Sequence, residues 1–291
     1  LFKPKQQAIG EPVATDTPYA GKDRFYAEIA AFHLARLLGL NRVPIAVGRK
    51  LDVRRELKQV ADESLRSTFL NKTDKSLCFY GRCMYCRPSE SVCPDAEGFL
   101  EGAMILYLPA AYSRLKRVRS PWARTYDERK TAPWETDLNF CGRVRGSEPF
   151  GDRPLFLDLM DMTVLDYLTG NADRHRLEMF QEWGEGGRNM VLLLDNGKGF
   201  GHPSLDEVTI LAPLYQCCRL RSRLYHSLIR YSELNLGMLL SGATKSDPLA
   251  PVLTPEHLEG VNRRLRKLIV VLAACIEAHG EEYVLQDDGF S

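Results

Sequence analysis

The sequence predicts an α+β fold in two lobes that is crosslinked by disulfides. The small N-terminal lobe is mixed, with both strands and helix, and the C-terminal lobe is mainly helical. Strand-like segments flank one amphipathic helix near the start of the 291 residues. Apolar and amphipathic helical segments dominate from Leu155 onward. Eight cysteines are available for crosslinks. We therefore predict an N-terminal lobe at 1–109 and a C-terminal lobe at 110–291.

Strand and helix segments alternate in the predicted N-terminal lobe. The chain opens with "LFKPK", which is typical of the middle of a strand, so we expect the natural N-terminus to lie upstream. From Asp23 to Leu38, small and apolar residues recur at helical spacing, and Gly39 follows as a C-terminal cap. The segments "RVPIAVGRKLD" and "GAMILYLP" (Gly102 to Pro109) have the composition of strands, and the second is predicted to be buried.

The predicted C-terminal lobe begins with a basic segment that contains tryptophans, from Ala110 to Pro154, and we expect this segment to be irregular. A helix that is apolar almost all round follows from Leu155 and ends at Gly170. The glycine-rich "GEGG" at 184–187 then predicts a turn into the short buried strand "NMVLLLD". Thr254-Pro255-Glu256 begins a last helix that runs to about Gly280.

Composition excludes several classes of protein. Hydrophobic residues make up 44% of the chain, which is enough to bury a core and argues against disorder. The net charge is +1, so no global field attracts nucleic acid or a membrane surface. The longest apolar run, Leu268 to Ile276, is far shorter than the roughly 20 residues that span a bilayer. We therefore expect no nucleic acid partner, no transmembrane segment and no signal peptide in this sequence.

The cysteines fall into two groups of four. In the sequence, Cys83 and Cys86 lie between Cys78 and Cys93. This nested spacing favours disulfides, because a zinc site usually has two close pairs of ligands separated by a longer loop. The other four are Cys141, Cys217, Cys218 and Cys275. Two adjacent thiols at 217 and 218 with distant partners also suit crosslinking. Asn71 begins an N-glycosylation sequon, and together with the cysteines it favours the secretory lumen.

Two carboxylate-bearing loops, joined by one predicted hairpin, carry the chemistry. Asp173 and, five residues later, Glu178 follow the buried helix, and Asp195 begins an Asp-Asn-Gly after the next strand. Protein kinases place a catalytic aspartate, a metal ligand five residues later and a second metal-binding aspartate in this order. Glu178 takes the position where asparagine is usual, and its extra negative charge favours manganese.

A kinase also needs a lysine that contacts the phosphates and a helix glutamate that positions it. Lys3 and Glu28 occur in the required order, with Lys5 as the alternative lysine. The glycine-rich loop is expected to precede Lys3, upstream of this sequence. Each of these residues alone is most often a solvated surface or turn residue, so the prediction depends on their order. We expect His175 to brace the loop by hydrogen bonding.

Long phrases along the chain carry a family resemblance. They are "LFKPK", "AEIAAFHL", "CFYGRCMYC", "DLMDMTVLDYLTGNADRH", "LLLDNGKGFG", "DEVTILAPLYQCC" and "APVL". With these phrases the chain resembles the secretory-pathway kinases named "family with sequence similarity twenty". The resemblance implies an atypical protein-kinase-like fold, ATP as the phosphate donor and Mn²⁺ as the usual metal, with Mg²⁺ as an alternative.

The resemblance also implies residue roles. Lys3 corresponds to the phosphate lysine and Glu28 to its partner, Asp173 is the catalytic aspartate, and Asp195 and Glu178 hold the metal. It pairs Cys78 with Cys93 and Cys83 with Cys86, and we expect Cys141 with Cys217 and Cys218 with Cys275. Relatives commonly have His-Tyr where this chain has Arg176-Leu177, and we expect this difference to alter loop packing. One member is a pseudokinase that lacks the helix glutamate, whereas Glu28 is intact here.

The acceptor is the more difficult prediction. "GNADRH", "SLDE" and "LAPLYQCC" resemble the glycosaminoglycan xylosylkinase branch, so we expect transfer to the 2-hydroxyl of xylose in the galactosyl-xylose linkage glycan of proteoglycans, in the Golgi lumen or after secretion. Trp122 and Trp134 can be stacking surfaces for a sugar, although core packing is the commoner role, and Arg117, Arg119 and Arg124 can hold acidic groups. The alternatives are a kinase for Ser-x-Glu motifs of secreted proteins and a silent pseudokinase scaffold. A related kinase or pseudokinase is a possible partner.

Overall fold

The computed structural model describes residues 1–13, 17, 19–72, 76–83, 86–108, 114–127, 129–181 and 189–287. Its strands are β1 (Phe2–Pro4), β2 (Ala46–Asp52), β3 (Phe69–Asn71), β4 (Leu77–Phe79), β5 (Phe99–Ile105), β6 (Arg114–Arg119), β7 (Arg176–Gln181), β8 (Asn189–Leu192), β9 (Leu220–Arg221) and β10 (Leu285–Gln286). Its helices are α1 (Phe25–Leu37), α2 (Lys58–Val60), α3 (Glu63–Arg66), α4 (Pro133–Thr136), α5 (Phe140–Arg145), α6 (Arg153–Thr169), α7 (Ala212–Cys217), α8 (Ser222–Leu234), α9 (Leu236–Thr244), α10 (Pro255–His279) and α11 (Glu281–Val284).

A three-stranded antiparallel sheet in the order β1-β5-β2 carries the N-terminus. Lys3 of β1 and Gly48 of β2 both lie opposite the fully buried Ala103 of β5. Helix α1 packs against this sheet with its alanine-rich side buried, as the helical spacing predicts. The sheet and α1 therefore fix the separation between Lys3 and the side chains of that helix.

Helix α6 lies in the centre of the second half of the molecule and is buried from Leu155 to Thr169. Two of its buried aspartates are paired with a buried arginine, because Arg221 forms ion pairs with Asp158 at 2.8 Å and with Asp161. The helix ends at Gly170, which has a left-handed φ of 71° as predicted. Helices α7 and α10 pack against α6, and α8 and α9 pack against α10, so the residues that follow α6 begin from a fixed point.

A second antiparallel sheet, β6-β7-β8, packs against α6 through β8. Glu178 of β7 is opposite Arg117 of β6 on one side and Leu192 of β8 on the other. The prediction that residues 110–154 are irregular was wrong, because this segment contains β6 and two short helices. The strand was missed because β6 is mostly basic and exposed, so it lacks the apolar alternation that indicates a strand.

All four expected disulfides are present: Cys78–Cys93, Cys83–Cys86, Cys141–Cys217 and Cys218–Cys275. Cys141–Cys217 joins α5 to α7, and Cys218–Cys275 joins the end of α7 to α10. These two disulfides therefore crosslink helices of the C-terminal half. No cysteine in the described residues is free. The prediction of crosslinks rather than a zinc site is confirmed.

The long predicted elements were found with small shifts at their ends. The predicted strand that reaches Pro109 ends at Ile105, and the last helix is α10, capped by Thr254. The "GEGG" turn at 184–187, the third residue of the Asn71 sequon and the predicted lobe boundary at 109 fall outside the described residues, so the boundary stays a prediction. Among the described helices, none combines the length and the apolar character that a membrane span requires.

Candidate active site

Lys3 lies at the centre of three carboxylates that come from distant parts of the chain. Its Nζ atom donates hydrogen bonds to Glu28 at 2.7 Å, to Asp23 at 2.9 Å and to Asp195 at 3.0 Å. The Lys3 side chain is 13% exposed, whereas that of Asp195 is 76% exposed. The structure therefore gathers three of the predicted site residues into one ion-paired group with an open carboxylate at its edge. Lys5, the alternative lysine, instead pairs with Glu101 at 2.6 Å near the surface.

The charges in this group support one another. Burial lowers the pKa of Lys3, but the carboxylates of Glu28, Asp195 and Asp23 outweigh that effect and hold the pKa well above its ordinary value. Lys3, in turn, is the main cause of the lowered pKa of Asp195. Both groups are therefore charged at neutral pH, which suits contact with phosphates and with a cation.

Glu28 also fastens the Asp-Asn-Gly segment. It accepts hydrogen bonds from the backbone N–H of Asn196 at 3.0 Å and from the Asn196 side chain at 3.3 Å. A β-carbon on Gly197 would lie 2.6 Å from Nζ of Lys3 and 3.0 Å from Cγ of Asp23, so a larger residue would displace these two side chains. Asp195 has a left-handed φ of 56°, which aspartate tolerates better than most residues do. The Asp-Asn-Gly segment is therefore joined to Lys3 and Glu28 rather than forming an isolated surface turn.

The loop that carries Asp173 is joined to Asp-Asn-Gly by its neighbour Arg174. The Arg174 guanidinium donates to both carboxylate oxygens of Asp166 in α6, at 2.9 and 2.7 Å. It also donates to Asn196 Oδ1 at 2.9 Å and to the carbonyl of Leu194. Burial lowers the pKa of Arg174, but Asp166 outweighs this and raises it, so the guanidinium stays charged. Arg174 thus holds the residues on both sides of Asp195 against the end of α6.

Asp173 itself is mostly buried. Its Oδ1 atom accepts the Tyr126 hydroxyl hydrogen bond and lies 3.3 Å from Nδ1 of His175. Its backbone N–H donates to the side chain of Asn171 at 3.2 Å. His175 contacts the Asp173 carboxylate as we expected from a bracing residue, but the link between the two loops is made by Arg174.

Glu178 lies within β7, so the prediction that a loop carries it was wrong. Strand pairing with β6 and β8 extends the backbone there, and a single sequence does not show which segments pair. Its carboxylate accepts from Nε of Arg117 at 2.9 Å. The described residues contain no group of three or more His, Cys, Asp or Glu side chains placed to hold a metal. Glu178 thus lies in β7, whereas Asp195 lies in the loop that follows β8.

The proposed sugar-stacking tryptophans belong to the core. Trp122 is 8% exposed and donates its indole N–H to Gln216, and Trp134 is 4% exposed and donates to the carbonyl of Ala123. Arg124 forms an ion pair with Glu207 at 3.7 Å, whereas the side chains of Arg117 and Arg119 in β6 are exposed. The sequence pattern could not separate these roles, because tryptophans of both kinds occur in basic, proline-containing segments.

Four contributors to the site were not predicted: Asp23, Tyr126, Arg174 and Asn196. Arg174 and Asn196 stand inside the motifs "DRH" and "DNG", so their position beside the predicted carboxylates was the available signal. Asp23 and Tyr126 carry no local signal, because only the tertiary fold brings them to Lys3 and Asp173.

Comparisons with known proteins agree on one family. The family model described as "Golgi casein kinase, C-terminal, Fam20" matches residues 1–284. Human glycosaminoglycan xylosylkinase is 45% identical over 99% of this chain and 69% of its own length. Human extracellular serine/threonine protein kinase FAM20C is 39% identical over 99% of this chain and 50% of its own length.

Solved structures match the fold along nearly the whole chain. The structure of hydra Fam20 with sugar has a TM-score of 0.90 and 42% identity, and the match covers 99% of this chain and 81% of that one. The crystal structure of the Golgi casein kinase with Mn/ADP bound has a TM-score of 0.89 and 32% identity, covering 99% and 71%. The fold is therefore the kinase-like fold of these proteins.

Proposed function

This chain belongs to the Fam20 family of ATP-dependent kinases, and from that premise we propose that it transfers the γ-phosphate of ATP to the 2-hydroxyl of xylose in the glycosaminoglycan linkage region of proteoglycans. The observation that carries the choice of acceptor is the 45% identity to the human xylosylkinase over 99% of the chain, against 39% to the human serine/threonine kinase. The likeness to a hydra Fam20 structure with sugar supports the same choice.

We propose the following roles for the site residues, and their contacts support them. Asp173 orients the acceptor hydroxyl and takes its proton while the hydroxyl oxygen attacks the γ-phosphorus. A bond forms between that oxygen and phosphorus, the bond from phosphorus to the bridging oxygen breaks, and ADP leaves. Lys3, held by Glu28 at 2.7 Å, aligns the phosphates. Arg174 keeps the loop of Asp173 in register with the loop of Asp195.

The donor set fits a divalent cation with hard oxygen ligands. Asp195 projects an exposed carboxylate beside the phosphate lysine, and Glu178 supplies a second carboxylate from the adjoining strand. These two side chains would hold Mn²⁺, with Mg²⁺ as the alternative. When bound, the cation would neutralise charge on the phosphate oxygens. The Golgi casein kinase structure with Mn/ADP supports this pairing of metal and nucleotide.

We propose the Golgi lumen or the secreted compartment as the location. Four disulfides support an oxidising environment. Asn71 is exposed at the end of β3, as an N-glycosylation site should be. The names of relatives, Golgi casein kinase and extracellular kinase, support the same compartments. A related kinase or pseudokinase as a regulatory partner is a further proposal.

The test compares two acceptors with ATP and Mn²⁺: a galactosyl-xylose glycan and a Ser-x-Glu peptide. Asp173→Asn removes the base while it keeps the shape of the side chain, and Glu259→Gln on the exposed side of α10 is the matched control. We expect phosphate on the xylose 2-hydroxyl, located by NMR of the product, with wild type and the control only. Transfer to the peptide alone would reject the xylose acceptor, and the absence of transfer to both would support a scaffold.

A further inference from the structure

An aromatic side chain lies directly on the catalytic carboxylate. The Tyr126 hydroxyl donates to Oδ1 of Asp173, and its ring packs edge-on against His175 with centroids 5.9 Å apart. The ring of Tyr19 braces the other side of Tyr126, with centroids 4.6 Å apart and planes at 74°. Tyr126 is nevertheless 40% exposed, so part of its ring faces solvent beside the reacting group.

The segment around Tyr126 is anchored on both sides. The Trp134 indole donates to the carbonyl of Ala123 at 3.1 Å, before Tyr126. The Thr125 hydroxyl donates to the carbonyls of Asp127 at 3.0 Å and Lys130 at 2.8 Å, after it. Tyr126 itself has a left-handed φ of 57°, a costly conformation for a bulky residue that persists only where its surroundings impose it. The anchored segment therefore presents the tyrosine to Asp173.

The two oxygens of the Asp173 carboxylate have different surroundings. Oδ1 receives the Tyr126 hydroxyl and lies near His175, whereas Oδ2 has no hydrogen-bond partner within the described part of the chain. A general base needs one oxygen within hydrogen-bond reach of the hydroxyl that it deprotonates. Burial, and then Asp173, raise the pKa of Tyr126, so the phenol keeps the proton that it donates.

A sugar acceptor also needs an aromatic wall, meaning an exposed aromatic ring against which one face of the sugar packs. Trp122 and Trp134 cannot provide it because both are buried. Among the described residues, Tyr126 and His175 contact the Asp173 carboxylate, and Tyr19 packs against Tyr126. The face of a sugar ring carries C–H groups that pack on an aromatic ring while its hydroxyls stay free to hydrogen bond. This arrangement suits a pyranose whose reacting hydroxyl points at Oδ2.

We propose that Tyr126 is both a positioning residue and the acceptor wall: its hydroxyl fixes Oδ1 of Asp173 so that Oδ2 meets the acceptor hydroxyl, and its ring, braced by Tyr19, packs on the xylose. This proposal rests on the proposed function for the identity of the sugar. The orientation of Asp173 does not depend on that identity.

Two substitutions separate the hydroxyl from the ring. Tyr126→Phe keeps the wall and removes the donor, and we expect kcat to fall about tenfold with an unchanged KM for the galactosyl-xylose acceptor. Tyr126→Leu removes both, and we expect the acceptor KM to rise about fivefold in addition. The KM for ATP and the melting temperature should match wild type in Tyr126→Phe. Tyr225→Phe, on α8 among the C-terminal helices, is the control.

Acceptor-free ATP hydrolysis supplies a readout that does not involve the sugar. Water then replaces the acceptor, so Tyr126→Phe should lower the hydrolysis rate towards that of Asp173→Asn. A Tyr126→Phe variant with wild-type or higher kcat would overturn the positioning role, and higher activity would identify the tyrosine as an obstruction. A Tyr126→Leu variant with a wild-type acceptor KM would overturn the wall. If the wild-type protein does not phosphorylate the glycan, both the wall and the proposed function are rejected. The rate of ATP hydrolysis by Tyr126→Phe still decides the positioning role.

Discussion

The bridge from Arg174 to Asp166 should hold the catalytic loop in place, and Arg174→Met removes it. Both side chains are almost completely buried, so the substitution leaves the Asp166 carboxylate with one side-chain donor, the amide of Asn171 at 3.2 Å. Loss of one partner from a buried ion pair costs about 3–5 kcal/mol. We expect the free energy of unfolding to fall by that amount in denaturant titrations with the disulfides intact.

A double-mutant cycle with Asp166→Asn isolates the pair. The asparagine can still accept from Asn171, and Arg174→Met together with Asp166→Asn leaves no unmatched charge. We therefore expect the double variant to lose much less than the sum of the single losses, with a coupling energy of at least about 2 kcal/mol. Arg266→Met, which breaks an ion pair with Glu259 in which both partners are more than 60% exposed, should change stability by less than about 1 kcal/mol.

The activity of the double variant then tests positioning apart from stability. At a temperature where all variants are folded, kcat should fall about 10- to 100-fold, because Asp173 is no longer tied to Leu194 and Asn196. Strictly additive stability losses would contradict the buried ion pair. A double variant with the kcat of wild type would show that the bridge does not position Asp173.

Two further predictions concern stability. Burial raises the pKa of Asp206, but Arg263, Lys267 and Arg264 outweigh it and hold the pKa at about 2 instead of 3.8. The charged carboxylate therefore stabilises the fold above pH 3.8, and this contribution is lost as the pH falls through 2. Asp206→Asn should lower the free energy of unfolding by about 2 kcal/mol at pH 7, and the difference from wild type should shrink towards pH 2 in unfolding titrations. Among the disulfides, replacing Cys141 and Cys217 by serine opens a link of 76 residues and should cost about 4 kcal/mol, whereas replacing Cys83 and Cys86, 3 residues apart, should cost about 1.5 kcal/mol. Equal losses in urea would contradict the loop-length argument.

Local patterns in the sequence predicted most of the helices that frame the site. The spacing before Gly39, the cap at Gly170 and the Thr254-Pro255 start act over a few neighbouring residues, so they are visible in one chain. The order of Lys3, Glu28, Asp173 and Asp195 was likewise visible, because the chemistry of phosphoryl transfer requires those side chains in those contexts. The family resemblance supplied the pairs Cys78–Cys93 and Cys83–Cys86, which spacing alone left open.

Contacts between distant segments were decided by the tertiary structure alone. Strand β6 exists because it pairs with β7 across a long separation, and the same pairing placed Glu178 in a strand. Tertiary packing buried Trp122 and Trp134 and left Tyr126 on the Asp173 carboxylate. The sequence by itself thus determined which groups can perform the chemistry and where its helices begin and end. The fold determined which aromatic ring meets the Asp173 carboxylate and which arginine joins the loops, because burial and pairing depend on residues far apart in the chain.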